Sequence, residues 1–273
     1  MVFASPVPAE MATGAFYDDA GGEYLSPDKL ASDYADVRFE RELRLFRSYC
    51  TGGAVLDVGC SSGGFLHQLT KRYPNDYKVL GTDVSTAPLE HAAKMGVPVA
   101  RGDFLTHPFS GQFDAVTFWA VMEHLSEPRR FLERAASLLK PGGFCFILVP
   151  NLNSLAVRLL GSKYRYIFPE HINYFTPATL RKFAEREFTV LALKSTHFNP
   201  VVIWQDFRRG EREVPRAERS RLLKRTNAYK QSRWLWPLKL AYRATERSLG
   251  RFRLADNLVL IGKKEISKAP VDS

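Results

Sequence analysis

The 273-residue chain predicts an α/β protein with a doubly wound, mostly parallel sheet, and three observations lead there. Apolar runs that suit buried parallel strands recur at 54–58, 78–84, 97–100, 113–118 and 144–149, with helical stretches between them. The first run ends in an acid and a glycine turn, Asp57-Val58-Gly59-Cys60-Ser61-Ser62-Gly63-Gly64, and a helix opens near Phe65. A helix over 128–139 stops at Lys140-Pro141-Gly142-Gly143, a stop signal that leads into the next strand.

Taken in order, Ser26-Pro27-Asp28 opens a first helix, with Ser26 as cap and Pro27 in the first turn. It is expected to run to about Tyr49 and to bury Leu30, Tyr34, Val37 and Leu43. Val55, Leu56 and Val58 form the first strand. Gly59 and Gly63 permit a turn that a Cβ would obstruct. That turn delivers the first amides of the next helix, which attract anions or polar ligand groups, so it marks a nucleotide-type site at the carboxyl end of the strand. Many strand–turn–helix units need glycine for packing alone, so the rest of the chain carries the argument. The second strand ends in Gly81-Thr82-Asp83-Val84. Asp83 lies about one βαβ repeat after the turn, where an acid commonly holds ribose hydroxyls. The third strand leads to Gly102-Asp103-Phe104 and the fourth to Trp119-Ala120-Val121-Met122-Glu123-His124.

Length and composition set bounds. The chain suffices for one α/β domain with additions. It has no run of 18 apolar residues, so no spanning helix is expected. Met1 to Ala12 lacks the basic flank and long apolar core of a secretory leader. Cys50, Cys60 and Cys145 have no metal spacing, and their odd number argues against a disulfide framework, which fits a reducing cytoplasm. Charge is uneven. Residues 201–273 hold 18 basic and 8 acidic side chains, so the chain's whole excess of +10 sits in its last quarter.

Four blocks then occur in one order: Val55-Leu56-Asp57-Val58-Gly59-Cys60, Gly81-Thr82-Asp83-Val84-Ser85, Val121-Met122-Glu123-His124-Leu125 and Leu139-Lys140-Pro141-Gly142-Gly143. With them the chain resembles the class I S-adenosylmethionine-dependent methyltransferases. Glu170-His171-Ile172-Asn173-Tyr174-Phe175-Thr176 makes it look most like the branch of quinone-biosynthesis O-methyltransferases and glycan-associated methyltransferases. The resemblance covers about 30–198 and a last strand near 258–264. It implies a Rossmann-like seven-stranded sheet, mostly parallel with an antiparallel last strand, and S-adenosyl-L-methionine as cofactor. Asp57, Gly59, Cys60, Ser61 and Gly63 would face the methionine part of that cofactor. Asp83 and Val84 would take the ribose, Asp103 and Phe104 would flank the adenine, and Trp119 would complete the wall. Each acid also reads as an ordinary strand-end turn residue. Ser61 stands where the family usually has glycine, which narrows the turn.

Methyl transfer from a sulfonium is a direct displacement, in which alignment contributes on the order of 7–11 kcal/mol. A hydroxyl nucleophile gains a further ~10²–10⁴-fold from a base. His124, at the rim after the fourth strand, and His171, in the first addition, are the candidate bases. Glu123 or Glu170 can orient a histidine or bind a cation. Quinone-type relatives can carry an acid three residues before the acid–histidine pair. Ala120 stands there, so no metal site is expected. Other readings stay open: His124 as a cap of the following turn, His171 as a hydrogen bond that locks a lid. His67, His91, His107 and His197 belong to no constellation.

The expected organisation is a loose tail over 1–25, a core over 26–198 with a lid addition at 151–176, a basic helical insertion at 199–256, a last strand at 257–264 and a tail over 265–273. The strand over 188–196 should run parallel to the first five, so the insertion begins on the ligand side of the sheet, beside the lid. It carries Arg208, Arg209, Arg212, Arg216, Arg219 and Arg221, then Ser232-Arg233-Trp234-Leu235-Trp236-Pro237-Leu238-Lys239. Tryptophans beside arginines suit a helix at an anionic membrane interface. They equally suit a helix packed on the domain, whereas no recognised nucleic-acid-binding module is present. The expected activity is methyl transfer to a hydroxyl of a small-molecule or lipid-linked acceptor, in the cytoplasm or peripheral to the inner membrane surface. Methylation of nitrogen or carbon on a sugar or glycan precursor is the alternative, as is a non-catalytic cofactor-binding protein that acts through its basic segment.

Overall fold

The computed structural model describes residues 2–3, 7, 25–168, 170–209 and 236–266. Seven strands form one sheet: β2 (Gly53–Val58), β3 (Tyr77–Asp83), β4 (Val99–Arg101), β5 (Phe113–Trp119), β6 (Leu139–Pro150), β8 (Thr189–Thr196) and β9 (Asn257–Lys263). Their order is β4-β3-β2-β5-β6-β9-β8. The first five are mutually parallel, and β9 lies antiparallel between β6 and β8. β8 therefore points the same way as the first five, as its predicted direction requires.

Strict alternation along each strand explains why the sheet is covered on both faces. Leu56, Val116, Ile147 and Leu258 face α5 (Pro128–Leu138) and α7 (Pro177–Ala184), packing with Leu132, Ala135 and Leu180. Val55, Ala115, Phe146 and Val259 face α2 (Glu40–Arg47) and α3 (Gly64–Arg72), packing with Leu43, Phe46, Leu66 and Leu69. The remaining helix of the parallel half is α4 (Thr86–Lys94).

Three local expectations are corrected. The first helix does not run unbroken to Tyr49: α1 spans Pro27–Asp33, and α2 begins only at Glu40. Between them Ala35 and Arg38 close tight turns, and the side chains of Asp33 and Tyr34 bind the glycine turn, so the chain bends over it. Leu30, Tyr34 and Val37 are only half-buried, whereas Leu43 is fully buried. The segment Lys140-Pro141-Gly142-Gly143 is not a plain turn before a strand but part of β6. The register against β5 jumps there from Leu139 to Phe144, a bulge in which Gly142 has φ +80°. The expected loose tail is ordered at its start: Val2–Phe3, β1, pairs antiparallel with Asn173–Tyr174, β7, which supplies its backbone with partners.

The first addition contains α6 (Leu155–Leu160) and the second opens with α8 (Pro200–Arg209) and ends with α9 (Trp236–Arg251). α6 and α8 pack through Ala156, Leu160, Tyr164 and Val202. A buried ion pair joins them: Arg165 donates from its backbone amide, Nε and Nη2 to Asp206 at 2.6–3.0 Å. Arg212 to Trp234 lie outside the described residues, and Trp236 is described in its backbone only.

Candidate active site

A cleft of about 900 Å³ runs along the carboxyl ends of the parallel strands, where the strand order reverses between β2 and β5. At one end the turn after β2 folds under strain that only certain residues tolerate. Gly59 has φ +70°, and a Cβ there would stand 2.6 Å from Val121 Cγ2; Gly63 has φ +77° and faces Ala92 at 2.8 Å. Ser61 adopts φ +50° without being glycine. Asp83 holds it there: its Oδ2 accepts from the Ser61 amide and its Oδ1 from the Ser85 amide, both at 2.8 Å. Asp83 is therefore a turn-fixing residue, and it lines the cleft. Burial still pushes its pKa upward.

Asp57 and Cys60 are buried in the same wall. Asp57 Oδ1 accepts from Thr117 Oγ1 at 2.6 Å, and burial raises its pKa to about 7. Burial drives the Cys60 thiol well above its ordinary value, so it is an inert thiol. Val84, Asp103 and Phe104 continue the lining. Asp103 is exposed, and its carboxylate accepts from the Leu105 amide and Thr106 Oγ1. The Phe104 ring is only 2% exposed and stacks on Phe131 at 5.4 Å, so it offers the cleft its backbone more than its face. Trp119 packs on Phe65, with its indole N–H buried and without a partner among the described residues.

Sequence reasoning missed the contribution of the two N-terminal helices. Lys29, Asp33, Arg38, Phe39 and Glu42 all line the cleft. Arg38 Nε is buried, has no hydrogen bond among the described residues and lies 3.9 Å from Asp33 Oδ1. Glu42 Oε1 meets His197 Nε2 at 2.7 Å; His197 and Arg38 hold its pKa down to about 2, against its burial. His197, read as unconnected, thus belongs to the cleft. The available signal was a run of charges on the helix just before the first strand, which reads as a solvated face.

At the other end stand Glu123, His124 and His171. The first two sit on a 3₁₀ turn, Met122–His124, that follows Ala120, itself at φ +60°. His124 Nδ1 lies 2.9 Å from the Glu170 carbonyl and His171 Nδ1 3.0 Å from the Tyr166 carbonyl. A carbonyl only accepts, so both rings carry the proton on Nδ1 and leave Nε2 as the basic nitrogen. The rings are 4.7 Å apart, edge to face. Burial lowers the His124 pKa to about 4 and raises that of Glu123 to about 8, and Glu123 Oε2 has no hydrogen-bond partner among the described residues. One ligand atom from each of the three residues lies within 4.8 Å of the others. One carboxylate and two imidazoles are a donor set that divalent transition metals accept. Ala120 removes one acid from this place, but His171, 47 residues after His124, fills a third position that sequence spacing could not reveal.

A doubly wound sheet with a strained glycine turn, an acid at the end of β3 that fixes that turn and a polar rim after β5 defines a class I S-adenosylmethionine-dependent methyltransferase. Residues 34–193 match the methyltransferase domain family, and the chain belongs to it. It is 32% identical over 180 residues to the ubiquinone biosynthesis O-methyltransferase of Caulobacter vibrioides, covering 60% of this chain and 70% of that one. Among solved structures, the N-methyltransferase NodS of Bradyrhizobium japonicum with S-adenosyl-L-homocysteine is 14% identical, with a TM-score of 0.55 over 91% of this chain and 97% of that one. The [4+2]-cyclase SpnF is 16% identical, with a TM-score of 0.61 over 98% and 100%. Both likenesses show the fold alone, which hosts more than one chemistry.

The residues present fit the cofactor. The strained turn and the Asp83 carboxylate line the cleft, and two residues of its lining, Arg38 and Trp119, carry buried N–H donors, Nε and Nε1, that have no partner among the described residues. S-adenosylhomocysteine at 100 times its dissociation constant should stabilise the fold by about 2.7 kcal/mol, read as a rise in melting temperature. Asp83→Ala should weaken its binding by about 1.5–3 kcal/mol in calorimetric titration. No thermal shift at millimolar ligand defeats the cofactor assignment, and unchanged affinity in the folded variant leaves Asp83 with the turn alone.

Proposed function

We propose that the protein moves a methyl group from S-adenosylmethionine to a hydroxyl of a small, lipid-linked acceptor. The observation that carries this reading is the pair of Nε2 bases on His124 and His171, beside a buried carboxyl, at the rim of the cofactor cleft. The related Caulobacter enzyme is named as an O-methyltransferase, which supports a hydroxyl as nucleophile. The cofactor, when bound, supplies the electrophilic methyl group. The chain's own residues do the rest. Asp57, the turn amides and Arg38 hold the amino-acid end, and Asp83 holds the ribose. Tyr166, Phe168 and Phe198 wall the acceptor end and keep water from it. His171 Nε2 takes the hydroxyl proton as the oxygen attacks. Glu123, protonated at neutral pH, donates a hydrogen bond that orients the acceptor.

The lipid-linked part rests on the cleft mouth. Val201, Trp204 and Phe207 project from one arc of α8 and are 53%, 54% and 73% exposed, with Arg208 stacked over Trp204 at 4.2 Å. Val202, on the opposite side of that helix, lines the cleft. Aromatic and cationic side chains together suit the boundary of an anionic bilayer. No helix among the described residues is long and apolar enough to cross a membrane. Incubation with methyl-labelled cofactor and isolated membrane lipids should place label in a lipid fraction. The protein should sediment with phosphatidylglycerol vesicles at low salt, and Trp204→Ala with Phe207→Ala should reduce that without changing cofactor affinity. Label in a soluble glycan instead moves the acceptor to the sugar class, and label nowhere defeats the reading.

A further inference from the structure

Outside the cleft, a second groove of about 450 Å³ lies between the outer strand β8 and helix α9. Its charged lining is Arg41, Lys194, Glu246, Arg247, Arg251 and Arg253. The single carboxylate, Glu246, is buried and receives both terminal nitrogens of the Arg41 guanidinium. It is therefore already neutralised. Among the described residues, no hydrogen bond or ion pair engages the side chains of Lys194, Arg247, Arg251 or Arg253. Several cations elsewhere differ: Arg47, Lys71, Arg129, Lys140 and Arg165 each meet a carboxylate within 2.8 Å.

The groove is built by the backbone. A Cβ at Gly250 would stand 2.9 Å from the Ser195 carbonyl, so the glycine lets α9 lie directly against β8 and brings its arginines beside Lys194. After the helix, Arg253 adopts φ +57°. Its amide donates to the Gly250 carbonyl at 3.1 Å, and its own carbonyl accepts from Asn151 Nδ2 at 3.0 Å. That turn sets Arg253 in the groove. Arg247 and Arg251 are four residues apart on α9, a spacing at which like charges repel. Four unpaired cations converging on one concavity, three of them guanidinium forks, match the charge and the geometry of a phosphoryl group.

We infer that this groove is a binding site for a phosphate or diphosphate group. It adjoins the lining of the cleft. Arg41, Thr196 and Glu246 line the groove, while their chain neighbours Glu42 and His197, and Tyr242 one helical turn away, line the cleft. The anion held here is carried either by a soluble phosphorylated compound or by a lipid headgroup. The site does not depend on the methyl-transfer chemistry.

Calorimetric titration of the full chain with inorganic pyrophosphate at low ionic strength tests it. Binding should be seen, should weaken as salt is added, and should fall by about tenfold or more in the Arg247→Gln/Arg251→Gln double variant. Arg129→Gln, on the far side of the sheet, should bind as the parent does. Unchanged S-adenosylhomocysteine affinity in the double variant shows that the fold and the cofactor cleft are intact. Sedimentation with phosphatidylglycerol and phosphatidylcholine vesicles separates the sources. Retention on the anionic vesicles that the double variant loses assigns the phosphate to a lipid headgroup, whereas pyrophosphate binding alone assigns it to a soluble compound. Absence of binding to both probes, or binding that survives the double substitution, overturns the site.

Discussion

His171→Ala and His124→Ala are expected to keep S-adenosylhomocysteine affinity, and at least one of them should lower turnover by about 10²-fold or more. The two differ in how. His124 has its pKa lowered to about 4, so it is neutral throughout the physiological range and its protonation sets no limb of the rate profile there. Glu123 is the group that changes state near pH 8. Its folded pKa lies above its unfolded one, so the folded chain binds the extra proton. Stability from this group is full below the ordinary carboxylate range and is lost as pH rises toward 8. The same step removes the hydrogen-bond donor, so kcat/KM should fall above about pH 8. Glu123→Gln, which keeps a donor at every pH, should flatten both the stability slope and the activity fall. A chelator separates base catalysis from a cation held by Glu123, His124 and His171. Bases leave turnover unchanged after chelation, while a required metal abolishes it and restores it on readdition. Full turnover in both histidine variants moves the base elsewhere.

Much of the architecture was legible because the sheet is buried on both faces. Runs such as Ala54-Val55-Leu56 and Phe144-Cys145-Phe146-Ile147 declare themselves by composition, without periodicity. The glycine turn was legible too, since a positive φ beside Val121 leaves few residues to choose from at Gly59. What escaped were contacts made by long-range folding. Glu42 and His197 are 155 positions apart, and nothing local in either segment marks them as partners. Arg38 looked like one charge in a solvated stretch, because the break between α1 and α2 depends on Asp33 and Tyr34 reaching Ser62 in the turn. The ends of Phe104 and Asp103 were equally hidden. Sequence order places both after β4, but only packing on Phe131 decides that the ring faces inward.

Asp206→Ala should be the most destabilising of the single changes considered, because it strands a cation inside the protein. Arg165 and Asp206 have side chains 5% and 1% exposed, and the carboxylate receives three donors of the arginine. Removing one partner of a buried pair typically costs about 3–5 kcal/mol, far more than the pair is worth against an apolar replacement. The loss falls where the two additions meet, since among the described residues Ala156, Leu160, Tyr164 and Val202, with Val157 and Ile203 packed against them, make the apolar cluster there. Those contacts are few, so the damage should stay local: amide exchange over 155–168 and 200–209 should speed up, while β2, β5 and β6 stay protected. Cofactor affinity should survive, because Asp57, Asp83 and the glycine turn belong to the sheet. Acceptor turnover should not, because Tyr164, Tyr166 and Phe168 lose their support. A double change to Arg165→Met and Asp206→Leu removes both charges and should recover most of the lost stability. If Asp206→Ala leaves exchange and turnover at parental values, the two additions are held by their apolar contacts alone, and the ion pair does not shape the acceptor wall.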